Sequence, residues 1–403
     1  MSLQNFFKFL KKTLVKERER KPSALSEGLC RQFSLAELKA ATNNFDDDLK
    51  IGEGGFGPVY KGLVDGGSLV VAVKRLARTS RQAVEEFRNE VELLCQLRHQ
   101  NLVCLLGLCH EKDERILVYE HMTHRSLDRH VFGNADPLSW KRRLEICIGA
   151  ARGLHYLHTG AKHTIIHCNV KPHNILLNDN WDAKLSDFGL SLIGPSSFSK
   201  PEPNAWEEMI SGARGTMGYI ARENFFKRYE LSEKVDVYSL GIVLLEVLCG
   251  RKMTDPFAED EDFIYSTVEI LKCIKNGCVH AIIDPFLKGK IAPVCLIEYV
   301  EIALNCVYAD PNERPSMGEV EVTLELALEL QEKADLVIKA DNPHAGYAYE
   351  DVSFRVSVEE NTYVPGYENS YLPANRCSGK SDAGSVSDAA LVSDGGAVSI
   401  AES

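Results

Sequence analysis

The segment Ile165–Leu177 carries polar side chains at the spacing of a loop that transfers phosphoryl groups. Lys171 supplies a positive charge for a phosphate, and Asn174 supplies a carboxamide oxygen that can bind Mg²⁺. Asp187, followed by Phe188 and Gly189, provides a carboxylate for the same ion. The position that should hold the proton-accepting aspartate is occupied by Asn169. The chain therefore keeps the phosphate-binding and metal-binding groups of this chemistry and lacks its base.

A glycine-rich segment further upstream could hold the phosphates of a nucleotide. Gly52, Gly54 and Gly57 form a G-x-G-x-x-G pattern between Ile51 and Val59. Missing side chains let backbone amides approach phosphate oxygens closely. Glycine-rich turns are common, so this pattern alone is weak evidence for a nucleotide site.

A lysine and a glutamate strengthen that interpretation. Lys74 ends the segment Val71–Lys74, whose V-A-x-K pattern predicts a strand that presents the lysine to the α- and β-phosphates. Such a lysine needs a carboxylate to hold it, and Glu90, in the helical pattern 84–97, is the best candidate. Two unrelated surface residues are the alternative for this pair. The order and spacing of four separate motifs make coincidence negligible.

With these motifs, residues 45–332 resemble a eukaryotic protein kinase domain. The resemblance implies an α+β, bilobal fold, with a small antiparallel-sheet N-lobe (45–122) containing one main helix and a larger helical C-lobe (123–332). Further matches to that domain are Gly215–Tyr219, Asp236–Gly241 and Asn312–Pro315. The chain is similar, more narrowly, to plant receptor-like kinases of the cytoplasmic type, through Phe33–Leu38, Ala40–Phe45, Leu97–Val103 and Leu117–Glu120.

The resemblance also implies roles for individual residues, with ATP and Mg²⁺ as cofactors. Tyr119 would lie at the back of the adenine pocket, and Glu120 and Met122 would present hinge backbone groups. Asn174 and Asp187 would bind the metal. The adenine would lie between Val59, Ala72 and Leu176, Lys171 with Thr216 would mark a Ser/Thr substrate geometry, and His167, Phe188, Glu223, Asp236 and Arg314 would be structural, with Glu223 paired to Arg314.

Two substitutions in the catalytic loop bear on activity. The carboxamide oxygen of Asn169 can accept a hydrogen bond from an incoming hydroxyl, but it cannot take up a proton at neutral pH. Losing a general base costs about 10²- to 10⁴-fold, which leaves on the order of 10⁻⁴ to 1 s⁻¹ from a typical kinase turnover. Cys168 replaces the arginine that pairs with a phosphorylated loop in many kinases, and we expect it to be a small core residue.

Three functional hypotheses follow. The first is a catalytically impaired kinase-fold protein that binds Mg·ATP and signals through conformation and protein partners, one of which would be a receptor kinase. The second is a working Ser/Thr kinase with slow turnover. The third is an interaction module that binds no nucleotide, although nothing bulky replaces the glycines or Ala72 to block the cleft.

The flanking segments differ in composition from the domain. We expect a basic amphipathic arm over 1–32, a capped helix over 33–44 and an acidic, Ser-rich disordered tail over 333–403. Residues 1–22 contain seven basic and two acidic side chains, with apolar residues at helical spacing. This pattern suits peripheral contact with an anionic membrane surface. A poorly ordered arm is the alternative.

Composition narrows the class of protein. The 403 residues are 44% hydrophobic and carry a formal net charge of −12, which argues against a nucleic-acid partner. The longest apolar run is too short to span a bilayer. The twelve cysteines show no zinc-site spacing and indicate free thiols in a reducing compartment. We therefore expect a cytoplasmic protein, with the inner face of the plasma membrane as an additional location.

Overall fold

Strands occupy the first part of the described chain and helices most of the remainder. The computed structural model describes residues 30–54, 57–76, 81–111, 113–133, 135–194, 215–221, 231–253, 267–341 and 348–350. The strands are β1 (Arg31–Gln32), β2 (Lys50–Gly54), β3 (Gly57–Val64), β4 (Leu69–Arg75), β5 (Leu105–Glu111), β6 (Glu114–Glu120), β7 (Arg125–Ser126), β8 (Ile165–Ile166), β9 (Ile175–Leu177), β10 (Ala183–Leu185) and β11 (Leu192–Ile193). The helices are α1 (Leu35–Ala41), α2 (Arg81–Leu94), α3 (Asp128–Val131), α4 (Trp140–His155), α5 (Lys234–Cys249), α6 (Thr267–Lys275), α7 (Val279–Ile282), α8 (Pro293–Cys306) and α9 (Met317–Asp341).

The smaller lobe is built on a six-stranded sheet with the order β1-β5-β6-β4-β3-β2. Its neighbouring strands are antiparallel except for β1 and β5, which are parallel. Helix α2 packs against β5 and β6 and buries Phe87, Val91 and Leu94. The predicted α+β fold, with a sheet-rich N-lobe, one main helix in it and a helical C-lobe, is confirmed.

The edge strand β1 corrects the predicted N-terminal boundary. The sequence assigns residues 1–32 to the basic arm, but Arg31 and Gln32 pair with Gly107 and Leu108. Gly107 permits this approach, because a Cβ there would lie 2.4 Å from the Arg31 carbonyl oxygen and 2.5 Å from the Phe33 ring. The remainder of the predicted arm, residues 1–29, lies outside the described residues.

Helix α1 belongs to the N-lobe and packs against β3 and β5. The Ser34 hydroxyl accepts a hydrogen bond from the Glu37 amide at 3.1 Å, which is the predicted N-cap. The Glu37 carboxylate accepts from Arg31 at 2.7 Å. Leu38 is fully buried in a cluster with Phe33 and Phe45. The predicted capped helix is therefore anchored by burial as well as by its cap.

Helix α5 forms the centre of the larger lobe. Its side chains from Val235 to Cys249 are buried with the exception of Tyr238. It packs against α4 and α8, and apolar side chains lie on all of its faces, as expected for a central core helix. Within the described residues, no helix combines the length and the apolar character needed to cross a membrane.

Helix α9 corrects the predicted C-terminal boundary. The sequence ends the domain at residue 332, but α9 continues to Asp341. Its second half is tied to the lobe, since the Gln331 side-chain oxygen accepts from the Ala292 amide at 2.8 Å. Further along the chain, the Tyr349 hydroxyl donates to the Asp335 carboxylate at 2.6 Å, and the Tyr349 amide donates to the Gly289 carbonyl at 2.9 Å. The predicted disordered tail beyond 350 lies outside the described residues.

Candidate nucleotide-binding and phosphoryl-transfer site

A cleft of about 250 Å³ lies between the two lobes. Val59 and Ala72 line it from the N-lobe and Leu176 from the C-lobe, so apolar surfaces from both lobes are available to a flat ring. Gly54 lies on β2 opposite Gly57. The remaining predicted residues that line the cleft are Ile51, Gly52, Gly57, Lys74, Glu90, Tyr119, Glu120, Met122, Lys171, Asn174 and Asp187.

The glycine-rich segment forms the hairpin of β2 and β3, in which Gly52 faces Val59 and Gly54 faces Gly57. Gly57 has a φ of +130°, and a Cβ at this position would lie 2.2 Å from the Arg75 carbonyl oxygen. Only glycine can occupy that position without moving the backbone. Residues 55 and 56, between the strands, lie outside the described residues.

Lys74 on β4 makes two ion pairs at the back of the cleft. Its Nζ lies 3.1 Å from Glu90 Oε2 on α2 and 3.1 Å from Asp187 Oδ1. Burial alone would lower the pKa of Lys74, but the two carboxylates outweigh it and raise that pKa. Burial would likewise raise the pKa of Asp187, and Lys74 holds it below its usual value. Lys74 is therefore charged and held in position between the lobes.

Asn89 is a positioning residue that the sequence did not reveal. Its side-chain N–H group contacts the carbonyl oxygens of Phe188, Gly189 and Ser191 at 3.0, 3.0 and 2.7 Å. These contacts fix helix α2, and with it Glu90, to the segment that carries Asp187. The residue type gives no signal of this role, because an asparagine on a helix adjacent to an acidic residue is an ordinary surface pattern.

Asp236 on α5 holds the predicted catalytic loop, Ile165–Leu177, through hydrogen bonds to its backbone. Its carboxylate accepts hydrogen bonds from the amides of His167 and Cys168 at 2.8 and 2.9 Å and contacts His158 Nε2 at 2.9 Å. Cys168 adopts a φ of +64° and is buried, as the expected core role requires. Phe188 is fully buried and packs edge-on against the His167 ring, with centroids 4.9 Å apart. Burial lowers the pKa of His167, so its neutral ring suits this apolar contact.

Asn169 is enclosed by partners on both ends of its carboxamide. Its Nδ2 donates to Asp187 Oδ2 at 2.8 Å, and its Oδ1 accepts from the Thr216 hydroxyl at 2.9 Å. Thr216 accepts in turn from Lys171 Nζ at 2.8 Å. Burial lowers the pKa of Lys171, and Asp187 partly opposes this effect. The structure therefore brings together the residues predicted for catalysis and for the substrate loop.

Asp187 and Asn174 present oxygen atoms that suit a magnesium ion. Asn174 Nδ2 donates to the Asn169 carbonyl oxygen at 2.7 Å, which turns the carboxamide oxygen of Asn174 away from that carbonyl. Both side chains line the cleft. Mg²⁺ is commonly bound by one or two such oxygens together with phosphate oxygens and water. The donor set of these residues fits that ion.

Arg314 is buried beside α5. Its Nε donates to the Tyr308 carbonyl at 2.8 Å and its Nη1 to the Lys234 carbonyl at 3.0 Å. Glu223, its predicted partner, lies outside the described residues. The ion pair between them remains a prediction.

A second buried carboxylate supports the segment Gly215–Tyr219, which contains the predicted substrate-loop residue Thr216. Glu246 on α5 accepts from the Tyr219 hydroxyl at 2.9 Å and from the Met253 amide at 2.8 Å. Burial raises its pKa to about 7. No role was predicted for Glu246, although a glutamate inside an apolar helix must find hydrogen-bond donors when it is buried.

Comparisons with known proteins agree with this geometry. The family model described as "Protein kinase domain" matches residues 45–323. The chain is 50% identical over 315 residues to the receptor-like protein kinase FERONIA of Arabidopsis thaliana. These residues cover 78% of this chain and 34% of that protein. It is 49% identical over 314 residues to ANXUR2 (78% and 35%) and 45% identical over 321 residues to THESEUS 1 (79% and 36%), both receptor-like protein kinases of the same plant. The chain thus spans about a third of the length of these relatives.

Proposed function

Because the chain belongs to the protein kinase domain family and is related to plant receptor-like kinases, we propose that it binds Mg·ATP between its lobes and transfers phosphate only slowly. The observation that carries the proposal is that Lys74 makes ion pairs with both Glu90 and Asp187. Asn169 lies next to this group and donates a hydrogen bond to Asp187. A site that had abandoned nucleotides would have no physical reason to keep buried charges in this arrangement.

Charged and polar residues of the site have roles in binding the phosphates or Mg²⁺. Lys74 holds the α- and β-phosphates, and Glu90 holds Lys74. Asp187 and Asn174 would hold Mg²⁺, which would neutralise charge on the phosphates. Lys171 supplies a second positive charge near the transferred group.

Asn169 orients a substrate hydroxyl poorly and does not deprotonate it. Its oxygen already accepts from Thr216, so a substrate hydroxyl has to compete for that acceptor. Its carboxamide takes up no proton at neutral pH. Without the base, the barrier rises by about 3 to 5 kcal/mol.

Such a protein would signal mainly through its conformation and its partners. The names of the relatives describe receptor-like kinases, and we propose that the partner of this chain is a protein in a receptor-kinase complex at the cytoplasmic side of a membrane. The basic segment 1–22 would supply peripheral contact with the membrane surface.

The test is phosphate transfer from radiolabelled ATP, compared among wild type, Asn169→Asp and Lys74→Met. We expect Asn169→Asp to transfer phosphate about 10²- to 10⁴-fold faster than wild type, and Lys74→Met to show neither transfer nor stabilisation by Mg·ATP. Saturating wild type with Mg·ATP should raise its thermal midpoint, since ligand at 100 times Kd stabilises by about 2.7 kcal/mol.

Two outcomes would favour the other hypotheses. Comparable rates in wild type and Asn169→Asp would identify a slow but working Ser/Thr kinase. No thermal stabilisation of wild type at millimolar Mg·ATP would identify an interaction module that binds no nucleotide. The open cleft lined by Gly52 and Ala72 argues against the latter.

A further inference from the structure

Both carboxylate oxygens of Asp187 already have donors in the protein. Oδ1 accepts from Lys74 at 3.1 Å, and Oδ2 accepts from Asn169 at 2.8 Å. Asn174 adds a longer contact to Oδ2 at 3.5 Å. The contact from Asn169 depends on its amide group, because an aspartate at this position would have no hydrogen to donate.

The direction of the Asn169 contact follows from its neighbours. Lys171 has only donors, so Thr216 must accept from it and direct its own hydroxyl hydrogen elsewhere. That hydrogen goes to an oxygen, which places Asn169 Oδ1 beside Thr216. The amide group of Asn169 is then left to face Asp187. A flipped carboxamide would set N–H against the Thr216 hydroxyl hydrogen and oxygen against a carboxylate.

An aspartate at position 169 would reverse the electrostatics of this contact. It would place a second carboxylate oxygen about 2.8 Å from Asp187 Oδ2, and two carboxylates that close repel unless a proton or cation lies between them. A divalent cation is a natural means of relieving that repulsion. In this chain the Asn169 amide already does so.

The charges of the residues that line the cleft also favour nucleotide binding without a cation. The Asp, Glu, Lys and Arg side chains that line the cleft are balanced in number: the positive ones are Lys74, Arg125, Arg129 and Lys171, and the negative ones are Glu53, Glu90, Glu120 and Asp187. A nucleoside triphosphate therefore meets balanced charge, whereas an aspartate at 169 would add an uncompensated negative charge beside its phosphates.

We propose that Asn169 uncouples nucleotide binding from Mg²⁺: its amide donates to the Asp187 oxygen and so weakens the attraction of that carboxylate for a divalent cation, and its neutrality lets a nucleoside triphosphate enter without that cation. The inference rests on the proposed function, since it concerns the same nucleotide site. Asn169 acts here as a positioning residue for Asp187. The consequence is that nucleotide occupancy of the cleft is insensitive to the divalent cation.

The experiment measures Kd for ATP by isothermal titration calorimetry in excess MgCl₂ and in excess EDTA, for wild type, Asn169→Asp and Asn169→Ala. For wild type we expect the two Kd values to agree within about threefold, and for Asn169→Asp we expect Mg²⁺ to tighten binding by about tenfold or more, a common size for coupling between two ligands. Asn169→Ala, which lacks the amide without adding charge, should lie between them.

A second readout needs no nucleotide. Titration of the protein with Mn²⁺ alone should show tighter binding to Asn169→Asp than to wild type. Asn180→Asp is the matched control, because it adds the same charge at an exposed position after β9. It should behave as wild type in both titrations. Thermal midpoints without ligand verify that each variant is folded.

The outcomes separate this inference from the proposed function. The uncoupling would be overturned if wild type bound ATP in MgCl₂ but its affinity for ATP fell by about tenfold or more in EDTA, as expected for Asn169→Asp. That result would leave nucleotide binding intact. Wild type that binds ATP in neither buffer would overturn both. Binding of equal strength in both buffers, with Mg²⁺ dependence only in Asn169→Asp, supports the inference.

Discussion

Glu246 is a buried acid that holds Tyr219, and its raised pKa makes the stability of the folded protein depend on pH. Burial raises its pKa from 4.5 to about 7 in the folded protein. The folded state thus binds this proton more tightly than the unfolded state does. The contribution of Glu246 to stability is fully present below about pH 4.5 and is lost as the pH rises to about 7. Its magnitude is on the order of 3 kcal/mol at most.

Glu246→Gln should remove this dependence. The glutamine oxygen can still accept from Met253, and its amide can bond Tyr219. We expect the variant to gain stability relative to wild type as the pH is raised from about 5 to about 8. Thermal midpoints across that range, measured for both proteins, check this. Parallel profiles would mean that Glu246 does not titrate in this window.

Asn169 shows how far a single position can be predicted from sequence. Its loss of base function follows from the residue type alone. Its donation to Asp187 does not, because that contact needs residues 169, 187 and 216 in one place. The expectation that its oxygen receives a substrate hydroxyl left out Thr216, which occupies that oxygen in the folded chain.

The types of secondary structure in the two lobes were predicted more accurately than the ends of the domain. The strand-rich N-lobe and the helical C-lobe follow from the resemblance of residues 45–332 to a protein kinase domain. The ends of the domain do not, because they are fixed by distant residues. β1 forms where Gly107 allows a backbone to approach, and α9 is extended alongside the turn that precedes α8. Neither partner is a neighbour in sequence.

Leu38 tests whether α1 is part of the folding unit. It is fully buried in the cluster of Phe33 and Phe45, whereas Leu336 on α9 is 67% exposed. Leu38→Ala should lower the free energy of unfolding by about 2 to 5 kcal/mol, and Leu336→Ala by less than about 0.5 kcal/mol. Urea unfolding of the three proteins measures the difference. Equal midpoints would show that α1 is dispensable to the N-lobe.

The folding unit of the whole molecule is larger than the matched domain. The family model covers residues 45–323, but β1 and α1 complete the sheet and its apolar cluster before that range. After it, α9 buries Leu324 and Ala327 against the C-lobe. The bilobal fold could be predicted because its motifs lie along the whole domain. Among the flanking elements, α1 lies within the matches Phe33–Leu38 and Ala40–Phe45, whereas β1 and the end of α9 carry no comparable motif.

The distribution of charge over the whole chain leads to a last prediction, for residues 1–22. The protein carries a net charge of −12, yet this segment holds seven basic and two acidic residues. An anionic bilayer therefore repels most of the chain and attracts this segment, by about 1 kcal/mol for each basic residue near the surface. We expect the full chain to bind phosphatidylserine-containing vesicles at low salt, and to bind weakly to neutral vesicles or at high salt.

Deleting residues 1–22 should abolish that binding in a vesicle sedimentation assay. A matched variant with Lys8, Lys11 and Lys12 changed to glutamine keeps the apolar residues of the segment and removes charge, so it should bind only weakly. Binding that survives the deletion would place the membrane contact elsewhere on the molecule. Binding that survives the glutamine substitutions but not the deletion would mean that the apolar residues of the segment supply the attraction.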